Sequence, residues 1–302
     1  MNIMPNTILT PQIIAREALM VLRNNAVLSK LVHRDYSDEF VAGVGDTITI
    51  RKPASFEAKE FSGNIVVQDA TESGVPVKMD KHLDVSFAVT SKEMTLDIAD
   101  FSEQLLVPAM QAFADKIDKY IIGLEEGITN RVHFDGTQAM QDVVIDARKY
   151  LTDAAAPLTD RHFVYGSQIE ADLLKTDLFV SAERVGDEGT ALREASLGRK
   201  FGMDFYVDQN IAEKTVGTGD DAVTYTPAIA FHKNAIALVT RPLELPLGAS
   251  QSAIVNYDGF GLRVVYGYDQ NSKTDTVSID MLCGVKLIDK NLAAVVSDER
   301  TA

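Results

Sequence analysis

Three observations predict an α+β protein. Apolar residues recur at helical spacing in 10–32, 101–126 and 137–155. Apolar residues alternate with small or polar ones through 260–287, which marks a β-rich C-terminal region. Between the first two helices, 43–90 has strand signals at its ends and almost no core of its own.

In the first helix Thr10 can act as cap, and Pro11 takes the favoured first position. Ile13, Ile14, Ala18, Val21, Leu22, Leu28 and Leu31 form its apolar face, and Asn24 and Asn25 weaken its middle. Residues 1–9 carry no regular pattern, as in an ordered arm or a frayed end.

In 43–90, Ile48 and Ile50 share one strand face, with Thr47, Thr49 and Arg51 on the other. Leu83, Val85, Phe87 and Val89 alternate with Asp84, Ser86, Ala88 and Thr90. The charged residues between them keep only isolated large apolar groups: Phe56, Phe61, Ile65, Val66 and Val67. Long irregular segments are uncommon inside a domain. A hairpin that finds its partners on another subunit accounts for both the strands and the missing core. Arg51, Lys52, Glu57, Lys59 and Glu60 then form either a solvated face or ion pairs across subunits. Phe56 and Phe61 favour the second, since aromatics on a thin hairpin have no local core.

For the second helix Asp100 and Glu103 form a capping pair. Leu105, Leu106, Ala109, Met110, Phe113, Ile117, Tyr120, Ile121 and Leu124 make a broad apolar stripe that ends at Gly127. Pro108 is the anomaly, because proline in a helix interior costs on the order of 3 kcal/mol. Either the long helix starts there after a short turn, or it bends there.

The third helix buries Met140, Val143, Val144, Ala147, Tyr150 and Leu151. FVYG (163–166) is a short buried strand, and Ser167 with Glu170 forms a capping box for a helix to Leu178. A loop (184–189), a helix (190–197) closed by Gly198, and strands at 203–208 and 228–233 complete a mixed lobe, with a loop at 209–227. Phe260, Leu262, Val264 and Tyr266, then Val277, Ile279, Met281, Cys283, Val285 and Leu287, form an antiparallel hairpin with one face on a core.

No chemistry competes with an assembly role. The net charge of −15 argues against a nucleic-acid-binding face, though not against a container wall that merely faces nucleic acid. No apolar run is long enough for a membrane span, and Arg16, Glu17 and Arg23 break any signal-peptide pattern. The single Cys283 excludes an internal disulfide and reads as a small core residue in a reducing, cytoplasmic compartment. Histidines 33, 82, 133, 162 and 232 have no metal-ligand spacing. There is no Walker A or GxSxG motif, and the GDE (186–188) and GDD (219–221) loops lack calcium-loop spacing. No cofactor, metal or catalytic residue is expected, and the chain is not read as an enzyme.

TPQIIAREALMVLRNN (10–25), GDTITIRKP (45–53), LLVPAMQAFADKIDKYI (105–121), LREASLGRKFGMDFYVDQNI (192–211), AIAFHKNAIALVTRPLE (228–244), GLRVVYGYD (261–269) and DTVSIDMLCGVK (275–286) occur in an order and spacing that resembles tailed-bacteriophage major capsid proteins. The likeness is to the coat-protein branch that works with a separate scaffold. It implies the Hong-Kong-type capsid fold: N-arm (1–42), extended loop (43–90), peripheral lobe with a long spine helix (91–136), axial lobe (137–258), and C-terminal strands returning to the peripheral lobe (259–302).

The resemblance also implies self-assembly of hexamers and pentamers into an icosahedral head, made in the host cytoplasm and found in the virion. That head would enclose double-stranded DNA without sequence-specific binding and without a membrane. Its partners would be further copies of the chain, a separate scaffolding protein and a portal protein, with a cement or decoration protein left open. The N-arm pattern begins by residue 10, which implies no long self-scaffolding segment, and 209–227 leaves no room for an inserted domain. Arg51, Lys52, Phe56, Glu57, Lys59, Glu60, Phe61, Ile65, Val66 and Val67 are the expected inter-subunit residues, and Pro108 the candidate spine bend. Lys59, Lys78 and Lys81 lie in the loop without identifiable crosslink partners. The alternatives are a bacterial nanocompartment shell, a tail-tube or other head protein, and a soluble acidic hydrolase.

Overall fold

The computed structural model of the chain describes residues 11–25, 27–34, 47–52, 58, 60, 73–90, 105–176, 179, 197–216, 222–248, 251–257, 260–270 and 272–299. Where one first helix is expected there are two, α1 (Pro11–Asn25) and α2 (Leu28–Leu31). The break follows Asn24 and Asn25, a residue type of low helix propensity.

β1 (Thr47–Lys52) pairs antiparallel with β2 (Ser73–Lys78), Thr47 opposite Lys78 and Lys52 opposite Ser73. The two predicted end strands of 43–90 therefore do not form one hairpin. Pro76 hides β2 in the sequence; a two-stranded ribbon tolerates it, since the missing N–H can face away from the partner. The second predicted strand, β3 (Lys81–Thr90), joins the body instead.

The spine helix α3 spans Val107–Gly123, with a wider helical turn at 105–106 before it and a 3-10 turn, Leu124–Gly127, after it. Pro108 falls in the first turn of α3, where a helix needs no N–H from it. Pro108 is thus the second residue of α3, directly after the helical turn at 105–106, and residues 101–104 lie outside the described residues. The Asp100–Glu103 capping pair lies outside the described residues.

The next elements are β4 (Arg131–Phe134), α4 (Met140–Asp153), β5 (Arg161–Tyr165) and α5 (Ser167–Lys175). The expected capping box at α5 does not form. Gly166 is the N-cap, and its carbonyl accepts the Glu170 N–H, so Ser167 is already helical. Of the expected helix 190–197, residues 190–196 lie outside the described residues, and Leu197 is buried without helical structure. β6 (Arg199–Lys200), β7 (Met203–Val207), β8 (Lys214–Val216), β9 (Val223–His232), β10 (Ile236–Arg241), β11 (Gln251–Tyr257), β12 (Phe260–Asp269), β13 (Thr274–Leu287) and β14 (Ala293–Asp298) follow. The predicted loop 209–227 contains β8, which forms a hairpin with β9.

Besides the β1–β2 ribbon, the described strands make two larger sheets. One runs β10-β13-β12-β11, with β3 along the other edge of β13; the other runs β4-β14-β9-β5-β7-β6, with β8 on β9. The last strand, β14, does not join the sheet of β12 and β13 but inserts between β4 and β9. Its short run of small and β-branched residues suits a strand covered on both faces.

Both faces of that second sheet are indeed covered. Val164, Ile229, Phe231, Ala293 and Val295 join the core under α1 and α3, together with Leu262, Val264, Ile279 and Met281. Phe163, Tyr165, Ala228, Ala230 and Val296 face the core under α4 and α5. Arg161 is buried at the junction and caps the end of α4, donating to the carbonyls of Ala156 (2.7 Å) and Pro157 (2.8 Å) and to Thr152 Oγ1 (3.1 Å).

Candidate assembly surfaces and the latches behind them

The foot of the β1–β2 ribbon is fastened to its own body. Ile50 and Val77 are buried against Ala237 and Val239 of β10, with Ile48, Met79 and Ile288 around them. Alternation puts Ile48, Ile50, Val75 and Val77 on one ribbon face, so the sequence pattern carries this clip directly. The chain then crosses β13 at Gly284, where any Cβ would sit 2.3 Å from the Lys78 carbonyl oxygen. Only glycine permits that approach. Leu83 is buried in the main core, and Val85 and Phe87 pack against it.

Of the expected inter-subunit residues, Arg51 and Lys52 lie in β1 opposite Gly74 and Ser73. Glu60 is described and exposed. Phe56, Glu57, Lys59, Phe61, Ile65, Val66 and Val67 lie outside the described residues, as do the GDE and GDD loops. Pro108 is exposed at the spine's start.

A groove of about 350 Å³ runs between α3 and β3, lined by His82, Asp84, Val85, Phe113, Lys116 and Tyr120 among others. Lys116 Nζ lies 5.2 Å and Lys81 Nζ 5.9 Å from the centre of the Tyr120 ring. The groove therefore offers an aromatic floor with cations around it.

Two buried carboxylates were not singled out by sequence reasoning. Glu125, in the turn after α3, is fully buried. It accepts from Arg131 Nη2 (2.9 Å), Lys214 Nζ (3.0 Å) and the Tyr225 hydroxyl (2.8 Å). Asp118 lies on the buried face of α3 and accepts the backbone N–H groups of Val27 (3.1 Å) and Ser29 (3.2 Å) at the start of α2. Val27 has no side-chain cap bond of its own, so the spine supplies it. The signal for Asp118 was visible: it sits one turn after Ala114 and three residues before Ile121, on the apolar stripe. Glu125 showed none, because its partners are distant in sequence.

Burial pushes the Cys283 thiol up to about 12, the opposite of activation. Among the described residues no three His, Cys, Asp or Glu side chains gather as a metal site, and no helix is long and apolar enough to cross a membrane.

A fastened two-stranded ribbon, a spine helix, one antiparallel sheet beside the spine and a mixed sheet covered by helices define the Hong-Kong-type α+β capsid fold. No family profile and no curated protein matches the chain. Solved structures do. One from Mycobacterium phage Che8 is 20% identical with a TM-score of 0.66, covering 90% of each chain. The capsid of cyanophage P-SCSP1u is 11% identical with a TM-score of 0.63, covering 91% of this chain and 89% of that one. A virus-like particle from Pyrococcus furiosus is 13% identical with a TM-score of 0.54, covering 94% and 98%. The chain therefore has the fold of a tailed-phage major capsid subunit over nearly its whole length.

Proposed function

We propose that this protein is the major capsid protein of a tailed bacteriophage, forming hexamers and pentamers of an icosahedral shell around double-stranded DNA. The observation that carries this reading is the end-to-end match to phage capsid structures, at 91% of this chain and 89% of the other for the cyanophage P-SCSP1u capsid. The role is structural and not enzymatic. A scaffolding protein directs assembly in the host cell, a portal marks one vertex, and a decoration protein is a further candidate partner.

Residues 53–72, held at their foot by the Ile50–Val77 clip, reach a neighbouring subunit. Many weak contacts of this kind, closed around a shell, give a stable whole with reversible early steps. The net charge of −15 suits a wall that faces DNA without gripping it.

The test is to replace 55–72 by a short turn, which leaves β1 and β2 intact. The expected product is a folded subunit that forms no closed shells by electron microscopy with its scaffold; normal shells would refute the loop's role. A second reading, a nanocompartment shell, draws on the Pyrococcus virus-like particle, whose TM-score of 0.54 is below that of the phage structures named. Purified native shells holding protein cargo and no DNA would favour it.

A further inference from the structure

The edge of a sheet presents unpaired N–H and C=O groups, and proteins guard it with charged side chains, lysine above all. Among the described residues, β3 carries Lys81, β4 Arg131, β6 Lys200, β8 Lys214 and β10 Arg241, and each strand of the β1–β2 ribbon carries a lysine. β11 is the exception. Its sequence, QSAIVNY, has no charged residue and no proline. It pairs with β12 along one edge, and no described strand lies along the other. Ile254, at its centre, is 38% exposed. The cation opposite Ile254 on β12 is Arg263, which donates to both oxygens of Asp280 on β13 and so is drawn away from this edge.

We propose that β11 pairs antiparallel with β11 of a second copy of this chain across a two-fold axis, joining two sheets into one. A two-fold contact brings a surface against itself, so the strand has to be self-complementary. Centred on Ile254, the pairing sets Gln251 opposite Tyr257, Ser252 opposite Asn256 and Ala253 opposite Val255, and uses all 7 residues. Ala253 and Val255 stay on the face that meets the core, and Ser252, Ile254 and Asn256 on the other. Two copies that each carry a net charge of −15 repel one another, and an uncharged strand is where they can approach without adding to that repulsion. The main-chain bonds give the affinity, as in other cases of strand addition.

The helix beside this edge suits the same contact. α1 packs against both β11 and β12. Strands in a sheet lie about 4.8 Å apart, so two helices each lying over a β11–β12 pair would stand about 10 Å apart, close to the distance at which helices pack. Apolar side chains are available for that approach: Ile13 and Met20 are 44% and 65% exposed and stand two turns apart on one side of α1. The inference adds a contact between copies to the capsid reading and rests on that reading only for the presence of a second copy.

The test is mild oxidation of the concentrated full-length chain carrying Ile254→Cys or, as control, Asn256→Cys, read on a non-reducing gel. Directly opposed Cα atoms are about 4.5–5.5 Å apart, within disulfide reach, whereas the two copies of position 256 would be about 14 Å apart. Ile254→Cys should give linked dimers and Asn256→Cys should not. In a second arm, sedimentation should show Ile254→Lys and Ile254→Glu each associating about tenfold more weakly than wild type, since each sets a like charge against itself, and an equal mixture of the two recovering. Failure of Ile254→Cys to link, equal linking in Asn256→Cys, unweakened association of Ile254→Lys, or a mixture no tighter than either variant alone would overturn the pairing. Electron microscopy of the same samples keeps the two readings apart: shells without linking refute the strand pairing and leave the capsid reading standing, and linking without shells does the reverse.

Discussion

The Tyr225 hydroxyl on β9 donates to the carboxylate of Glu125 at 2.8 Å, joining the end of the spine to a strand a hundred residues away. Lys214 and Arg131 reach the same carboxylate from β8 and β4. The junction between the end of the spine and the second sheet is therefore polar, with three donors meeting on one carboxylate. Glu125→Ala should cost about 1–3 kcal/mol, because it removes the shared acceptor of three donors, while Lys214 keeps Glu126 at 3.5 Å and Arg131 keeps Ser297 Oγ at 3.3 Å. Tyr225→Phe should cost about 1.5–3 kcal/mol through one lost bond to a charged acceptor. Urea unfolding of the unassembled subunit measures both.

Gly284 is where the ribbon's exit strand crosses β13. Gly284→Ala should lift the Lys78–Met79 backbone, at a cost on the order of 1–3 kcal/mol, since the first atom it meets is a backbone carbonyl. Faster amide exchange at Ile50 and Val77, with exchange in α4 unchanged, is the expected signature.

Pro108→Ala should change subunit stability by no more than about 1 kcal/mol, since a first-turn proline blocks no hydrogen bond and chiefly restricts the unfolded chain. Thermal unfolding checks this. A stabilisation near 3 kcal/mol would instead mark an interior, strained proline.

His162 and His232 should produce an acid-side loss of stability. Burial lowers both, and the tilted rings of Tyr206 and Phe231 stand 5.9 and 5.7 Å from His162. His232 Nδ1 accepts the Asn234 N–H, which fixes a neutral tautomer. The unfolded chain therefore takes up protons from about pH 6.5 downward before the folded one does, and stability falls as pH drops through that window. His162→Leu should flatten this limb of the urea midpoint measured from pH 7.5 to 5.

Periodicity made the helices legible wherever one face is apolar and the other wet. α4 is shorter than its predicted span, and α3 gives way to a 3-10 turn before its predicted end, where tight turns decide. Strands were legible when they alternate, as in β3, β12 and β13. β2 was masked by Pro76, β8 by its brevity, and β14 by being buried on both faces. The buried acids show the same division. Asp118 interrupts an apolar stripe and can be noticed, but its role as the cap of α2 depends on a fold that brings residue 27 to residue 118.

By itself the sequence determined the α+β class, the helical faces and, through ordered motifs, the likeness to phage capsid subunits. These follow from local spacing and local turn chemistry, which need no knowledge of distant contacts. Only the tertiary structure decided that β1 pairs with β2 and not with β3, that the last strand crosses into the second sheet, and that Glu125 and Asp118 tie separate parts of the chain together. The physical reason is that strand pairing and buried charge are settled by partners far apart in sequence. Their energies come from desolvation and register, which no local window records.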